Sequence, residues 1–112
     1  MKILLDQGVP LPVREVLCEH NVETAFEKGW SVLKNGELIA RAERGGFEVF
    51  ISTDQNLKYQ QNLKDRKIAI VILKTTSWPK IKNQTELTAE SIRGIKGGAY
   101  VEITFQESKG KV

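Results

Sequence analysis

Asp6, Glu37 and Asp54 are the residues of this 112-residue chain whose type and placement could do chemistry. Asp6 ends the apolar run Ile3-Leu4-Leu5, and Asp54 follows Val49-Phe50-Ile51-Ser52-Thr53, so each is expected to leave the carboxyl end of a buried strand. Ligands of open parallel sheets bind along that edge. Carboxylate oxygens suit hard cations such as Mg²⁺ or Mn²⁺, which keep waters and accept phosphate oxygens as further ligands. A cation among three such acids would relieve their repulsion, neutralise charge on a phosphoryl group and acidify a water, so that a phosphodiester could be hydrolysed without a covalent nucleophile. Each acid also has an ordinary use: Asp6 can tie down a turn, Asp54 can cap the next helix, and Glu37 suits a first helical turn.

Positioning these acids requires alternating strands and helices. Ile3 to Leu5 reads as a first strand, and Gly8-Val9-Pro10-Leu11-Pro12 as a turn into a helix that starts near Pro12, buries Val13, Val16 and Leu17, and stops at His20-Asn21. Val22 to Ala25 is a short second strand, and Lys28-Gly29-Trp30 a turn. Asn35 offers an N-cap for a helix over residues 36–44, with Leu38, Ile39 and Ala42 inward and Gly45-Gly46 as its stop. Glu48 to Thr53 is a third strand, Asp54 to Leu63 a helix, and Ile68 to Leu73 a fourth strand apolar enough for burial on both faces. A helix over Thr85 to Arg93 and an edge strand from Tyr100 to Phe105 follow, with Trp78-Pro79 in a turn. This order predicts an α/β fold with a mostly parallel sheet covered by helices on both faces. Glu37 joins the two aspartates if its helix starts at their edge.

Length and a 40% apolar content fit one domain over residues 1–112, with a flexible tail at 108–112. One cysteine, Cys18, excludes an intramolecular disulfide, and with the single His20 the chain lacks a Cys/His zinc set. Cys18 is expected as a small core residue and His20 as a helix-end residue. No segment approaches membrane-spanning length, so a cytoplasmic location with no membrane partner is the simplest expectation. The net charge of +3 lies wholly in the last third, since residues 1–73 carry ten Lys/Arg against ten Asp/Glu. That excess alone is weak support for a nucleic-acid partner.

Around the acids, Asn56, Gln7 and Asn35 could serve as a supporting shell, Asn56 by accepting from a water or ligand and Asn35 by fixing Glu37. Lys58, Tyr59, Lys64, Arg66 and Lys67 interleave an aromatic ring with cations, a pattern compatible with phosphate contacts and base stacking and equally with a solvated helix face.

The run Met1-Lys2-Ile3-Leu4-Leu5-Asp6 with Val9-Pro10, then Gly29-Trp30 and Asn35-Gly36-Glu37-Leu38, then Thr53-Asp54-Gln55-Asn56-Leu57, resembles the compact PIN-like domains related to VapC-type toxin ribonucleases. The resemblance covers Met1 to about Pro79. It implies a PIN-like three-layer fold and a Mg²⁺- or Mn²⁺-dependent ribonuclease, the toxin of a toxin-antitoxin pair, with Asp6, Glu37 and Asp54 on the acidic motif positions. Its partners would be RNA, a cognate antitoxin and a second copy of the chain. Where relatives place a Glu after the first acid and an Asp two places after the third, this chain has Gln7 and Asn56, a less acidic site. Two other readings stand beside it: a receiver-like regulatory domain phosphorylated on Asp54, which Gln7 disfavours, and a PIN-like module that binds RNA or protein without cutting.

Overall fold

The computed structural model describes residues 1–60 and 66–105. Its centre is a sheet of five parallel strands: β1 (Lys2–Leu5), β2 (Asn21–Thr24), β3 (Val49–Ser52), β4 (Ala69–Leu73) and β5 (Tyr100–Ile103), in the order β2-β1-β3-β4-β5. The helices are α1 (Val13–Val16), α2 (Asn35–Arg44), α3 (Leu57–Gln60), α4 (Trp78–Lys82) and α5 (Thr85–Ile92). The fold is α/β, as the alternation of apolar runs predicts.

Successive strand residues point to opposite sides of a sheet, and two apolar clusters divide along that parity. Ile3, Leu5, Val49, Ile51, Val71 and Leu73 pack with Val13 and Leu17 of the first helical segment, Ile81 of α4 and Ile92 of α5. Leu4, Phe50, Ile70 and Ile72 pack instead with Leu38, Ile39 and Ala42 of α2 and Leu57 of α3. Every residue of β3 and β4 is buried, which explains why these runs lack a polar alternation.

Several boundaries differ from the sequence reading, each for a local reason. The first helix ends at Val16, where the Leu17 amide closes back on the Arg14 carbonyl. Leu17 therefore takes the core position, and Cys18 is exposed rather than a core residue. α2 starts at Asn35 itself, so the cap position falls to Lys34, which supplies no side-chain cap; the Asn35 side chain lies outside the description. The expected helix from Asp54 becomes a turn followed by α3, with residues 61–65 outside the described residues, as is the tail. Trp78-Pro79 opens α4 rather than a turn: the Ser77 hydroxyl accepts from the Lys80 amide, and proline is harmless in a first turn, where its missing N–H would have no partner.

Among the described residues no helix is long and apolar enough to cross a membrane.

Candidate functional site

β1 and β3 are neighbours, paired through Leu5 and Ile51, and the ladder continues one step when the Asp6 amide donates to the Ile51 carbonyl at 2.8 Å. Asp6 thus arrives beside Ser52. The Ser52 hydroxyl, fully buried, donates to Asp6 Oδ2 at 2.9 Å and accepts the Asp54 amide at 3.0 Å. One hydroxyl therefore ties the first acid to the backbone of the third. The sequence reading missed Ser52, although it is the one polar residue in the Val49-Phe50-Ile51-Ser52 strand.

The loops on either side are held closely. Gln7 donates its main-chain amide to Asp6 Oδ1 at 2.8 Å, and Asn56 donates its own to Asp54 Oδ1 at 3.0 Å. In both cases the amide rather than the expected side chain does the supporting. Asp54 also caps the turn into α3, which Leu57 anchors by complete burial. Gly8 lies so near Thr53 that a Cβ there would overlap the threonine hydroxyl, so a side chain at residue 8 would force Thr53 to shift where the loops after β1 and β3 approach.

Glu37 is placed by the run of α2. The helix ends at Gly45, whose carbonyl accepts from Lys2 Nζ at 2.8 Å at the amino end of β1. Ten helical residues rise about 15 Å, close to the ~13 Å of a four-residue strand, so α2 is long enough to span the sheet from that end. Glu37 is exposed and makes no hydrogen bond or ion pair among the described residues. Among these residues no three Asp, Glu, His or Cys side chains are grouped closely enough to hold a metal ion, so the described arrangement is a linked aspartate pair with which Glu37 is not grouped.

The basic residues divide between the two ends of the sheet. Lys58 and Tyr59 lie on α3, just beyond Asp54, both exposed. Arg66 and Lys67 lie at the opposite, amino end, where Glu43 accepts the Lys67 and Ile68 amides and pairs with Arg66 at 3.9 Å. Lys64 is outside the described residues.

A group absent from the sequence reading stands on the acids' side. Glu102 of β5 accepts from the Tyr100 hydroxyl at 2.9 Å and pairs with Lys58 at 3.2 Å and Lys74 at 3.8 Å. The Tyr100 and Lys58 hydrogen bonds hold the Glu102 carboxyl below its ordinary range, and the carboxylate in turn raises Lys58. Burial, then the bond to Glu102, then the charges of Glu102, Tyr59 and Asp54 push the Tyr100 phenol up. Away from these residues, a cavity of about 710 Å³ opens between α1, α4 and α5, lined by Leu11, Val16, Trp78 and Ala89 with Arg14 and Arg93 at its rim. None of the three acids lines it.

Comparisons of the chain with family models, with curated proteins and with solved structures found no match.

Proposed function

We propose that the chain is a PIN-like ribonuclease that uses Mg²⁺ or Mn²⁺ held by Asp6 and Asp54, with Glu37 joining when the cation binds. The observation that carries this reading is where the aspartate pair falls. In the order β2-β1-β3-β4-β5 the chain leaves β1 to one side and returns to the other at β3, and open α/β sheets bind ligands in the crevice outside that switch point. Asp6 and Asp54 flank it, tied by Ser52.

The donor set fits a hard cation. Each carboxylate oxygen has more than one lone pair, so the amide and hydroxyl bonds to Asp6 leave acceptor capacity while fixing its orientation. A bound cation would supply Lewis acidity, offsetting charge on a phosphoryl oxygen and acidifying water. The chain's own contribution is positional: Ser52 and the Gln7 amide orient Asp6, the Asn56 amide orients Asp54, and Glu37, in the first turn of α2, would join them on the cation. The toxin role, and with it an antitoxin partner, rests on the sequence resemblance alone; co-purification with a small DNA-binding protein encoded beside it would support that part.

The test is cleavage of single-stranded RNA by purified protein. Activity should require Mn²⁺ or Mg²⁺, vanish in EDTA, and be lost in Asp54→Asn, which should also lose the metal-dependent rise in melting temperature expected of a ligand that binds only the native state. Equal cleavage by the folded variant would sink the reading.

The receiver-like alternative keeps one observation in its favour: the same strand order, with Asp54 just past β3. A phosphoryl group on Asp54 after treatment with a small phosphodonor, absent in Asp54→Asn and unaccompanied by RNA cleavage, would favour it.

A further inference from the structure

Lys74 and Glu102 belong to no expectation drawn from the sequence, yet both stand next to the aspartate pair. β3 and β4 pair Ser52 with Ile72, so Asp54 and Lys74 each follow two residues beyond that pair at the same edge of the sheet. β5 pairs Glu102 with Ile72. Tyr100 packs on the cluster that contains α3, and Glu102, two residues on, shares its face. Its carboxylate thereby meets Lys58 from α3 on one oxygen and Lys74 from the end of β4 on the other.

Two ammonium groups on one carboxylate keep unused N–H donors, because each ammonium has three. Their side chains are only partly covered, at 40% and 36% exposure, whereas Glu102 is at 24%. The carboxylate is the less exposed partner and the lysines are the more exposed ones. Lys58 Nζ also lies 5.2 Å from the centroid of the Tyr59 ring, which is 77% exposed. An exposed ring beside two phosphate-seeking cations is the arrangement that grips an unpaired nucleotide strand, since any base offers a face for stacking.

We propose that Lys58 and Lys74, set in place by Glu102, bind backbone phosphates of a single-stranded RNA on the β4–β5 side of the aspartate pair, and that Tyr59 stacks on a base of the same strand. This deepens the ribonuclease reading and rests on it for the identity of the strand. Glu102 is a positioning residue: it touches no ligand and acts through the two lysines, with the Tyr100 hydroxyl fixing its own orientation.

The test separates binding from cleavage by measuring fluorescence anisotropy of a labelled 2′-O-methyl single-stranded oligonucleotide with the full chain in EDTA across a salt series. Lys58→Ala/Lys74→Ala should weaken binding at least tenfold and reduce the slope of log affinity against log salt by about 1.4, the value for two single-strand phosphate contacts. Tyr59→Ala should weaken binding with the slope unchanged, because stacking releases no counterions. Glu102→Gln should weaken it as well, although it removes a negative charge; affinity that rises instead means the lysines need no positioning and overturns Glu102's role. Unchanged affinity and slope in the double variant, with Lys82→Ala on α4 as the remote control, overturns the proposal. Because EDTA and the modified sugar remove cleavage from the measurement, a protein that binds in this way but never cuts RNA would sink the nuclease reading and leave this site standing.

Discussion

At the amino end of the sheet, Glu43 receives two main-chain amides, from Lys67 and Ile68, and pairs with Arg66. At the carboxyl end, Glu102 receives a phenol and two ammonium groups, and Asp6 a hydroxyl and one amide. The two ends have similar residue types and use them differently. Two amides and Arg66 occupy Glu43, while the ammonium partners of Glu102 keep donors that a ligand can take. Lys2 repeats the amino-end pattern, spent on the Gly45 carbonyl and lying 4.5 Å over the Phe47 ring. The contrast separates an end that joins helix to strand from an end that can work.

The sharpest way to break this contrast is to remove one carboxylate at each end. Asp6→Ala should lower the RNA cleavage rate by about 100-fold or more, since even partners one step removed from a metal cost 10–100-fold. Glu43→Ala should leave the rate per folded molecule unchanged. Cleavage that falls equally in both, measured at matched folded fraction, would erase the distinction.

Ser52→Ala sharpens the comparison from within the carboxyl end. It strips Asp6 of a hydroxyl partner and leaves the Asp54 amide unmatched in a buried setting, so we expect about 1–3 kcal/mol of lost stability in urea unfolding. A rate reduced about tenfold should accompany it. Full activity with reduced stability would make Ser52 a fold residue only.

A purely energetic effect is expected next. Glu43→Ala leaves the Ile68 amide without its acceptor beside a buried side chain and should cost about 1–3 kcal/mol. No loss would mean that water replaces the carboxylate.

The smallest effect is in the pH dependence of melting. The folded state holds the Tyr100 proton more tightly than the unfolded chain, so its contribution is complete below the ordinary phenol value of 10.0 and is lost as pH climbs above it. Lys58, also raised, acts in the same direction above 10.5. Tyr100→Phe should therefore show a shallower fall in melting temperature on the alkaline side than the parent. Identical slopes would remove the phenol from the Glu102 group.

The aspartates were legible because each follows an apolar run, and runs of that length exit a parallel sheet at one edge. Ser52 was not, since its meaning lies in the register of β1 against β3, which no local pattern encodes. The same holds for Glu102 and Lys74, brought to Lys58 by the pairing of β4 with β5 and by the seat of α3. Nearness in sequence misled for Arg66 and Lys67: they follow Lys58 closely, but the chain returns to the other end of the sheet before β4 begins. Cys18 was misplaced because a helix one turn shorter than expected rotates everything after Leu17.

All five strands are parallel, so no two of them can pair by a hairpin, and the bond between Ser52 and Asp6 closes a span of 46 residues. Closing a span of that length costs chain entropy before any contact repays it, and folds dominated by such pairings form slowly. On the ribosome, Asp6 emerges 46 residues ahead of Ser52 and waits unpaired until β3 has been made and has docked. The aspartate pair therefore assembles only after β3 has emerged, and a ligand that needs both acids meets no competent site on shorter nascent chains.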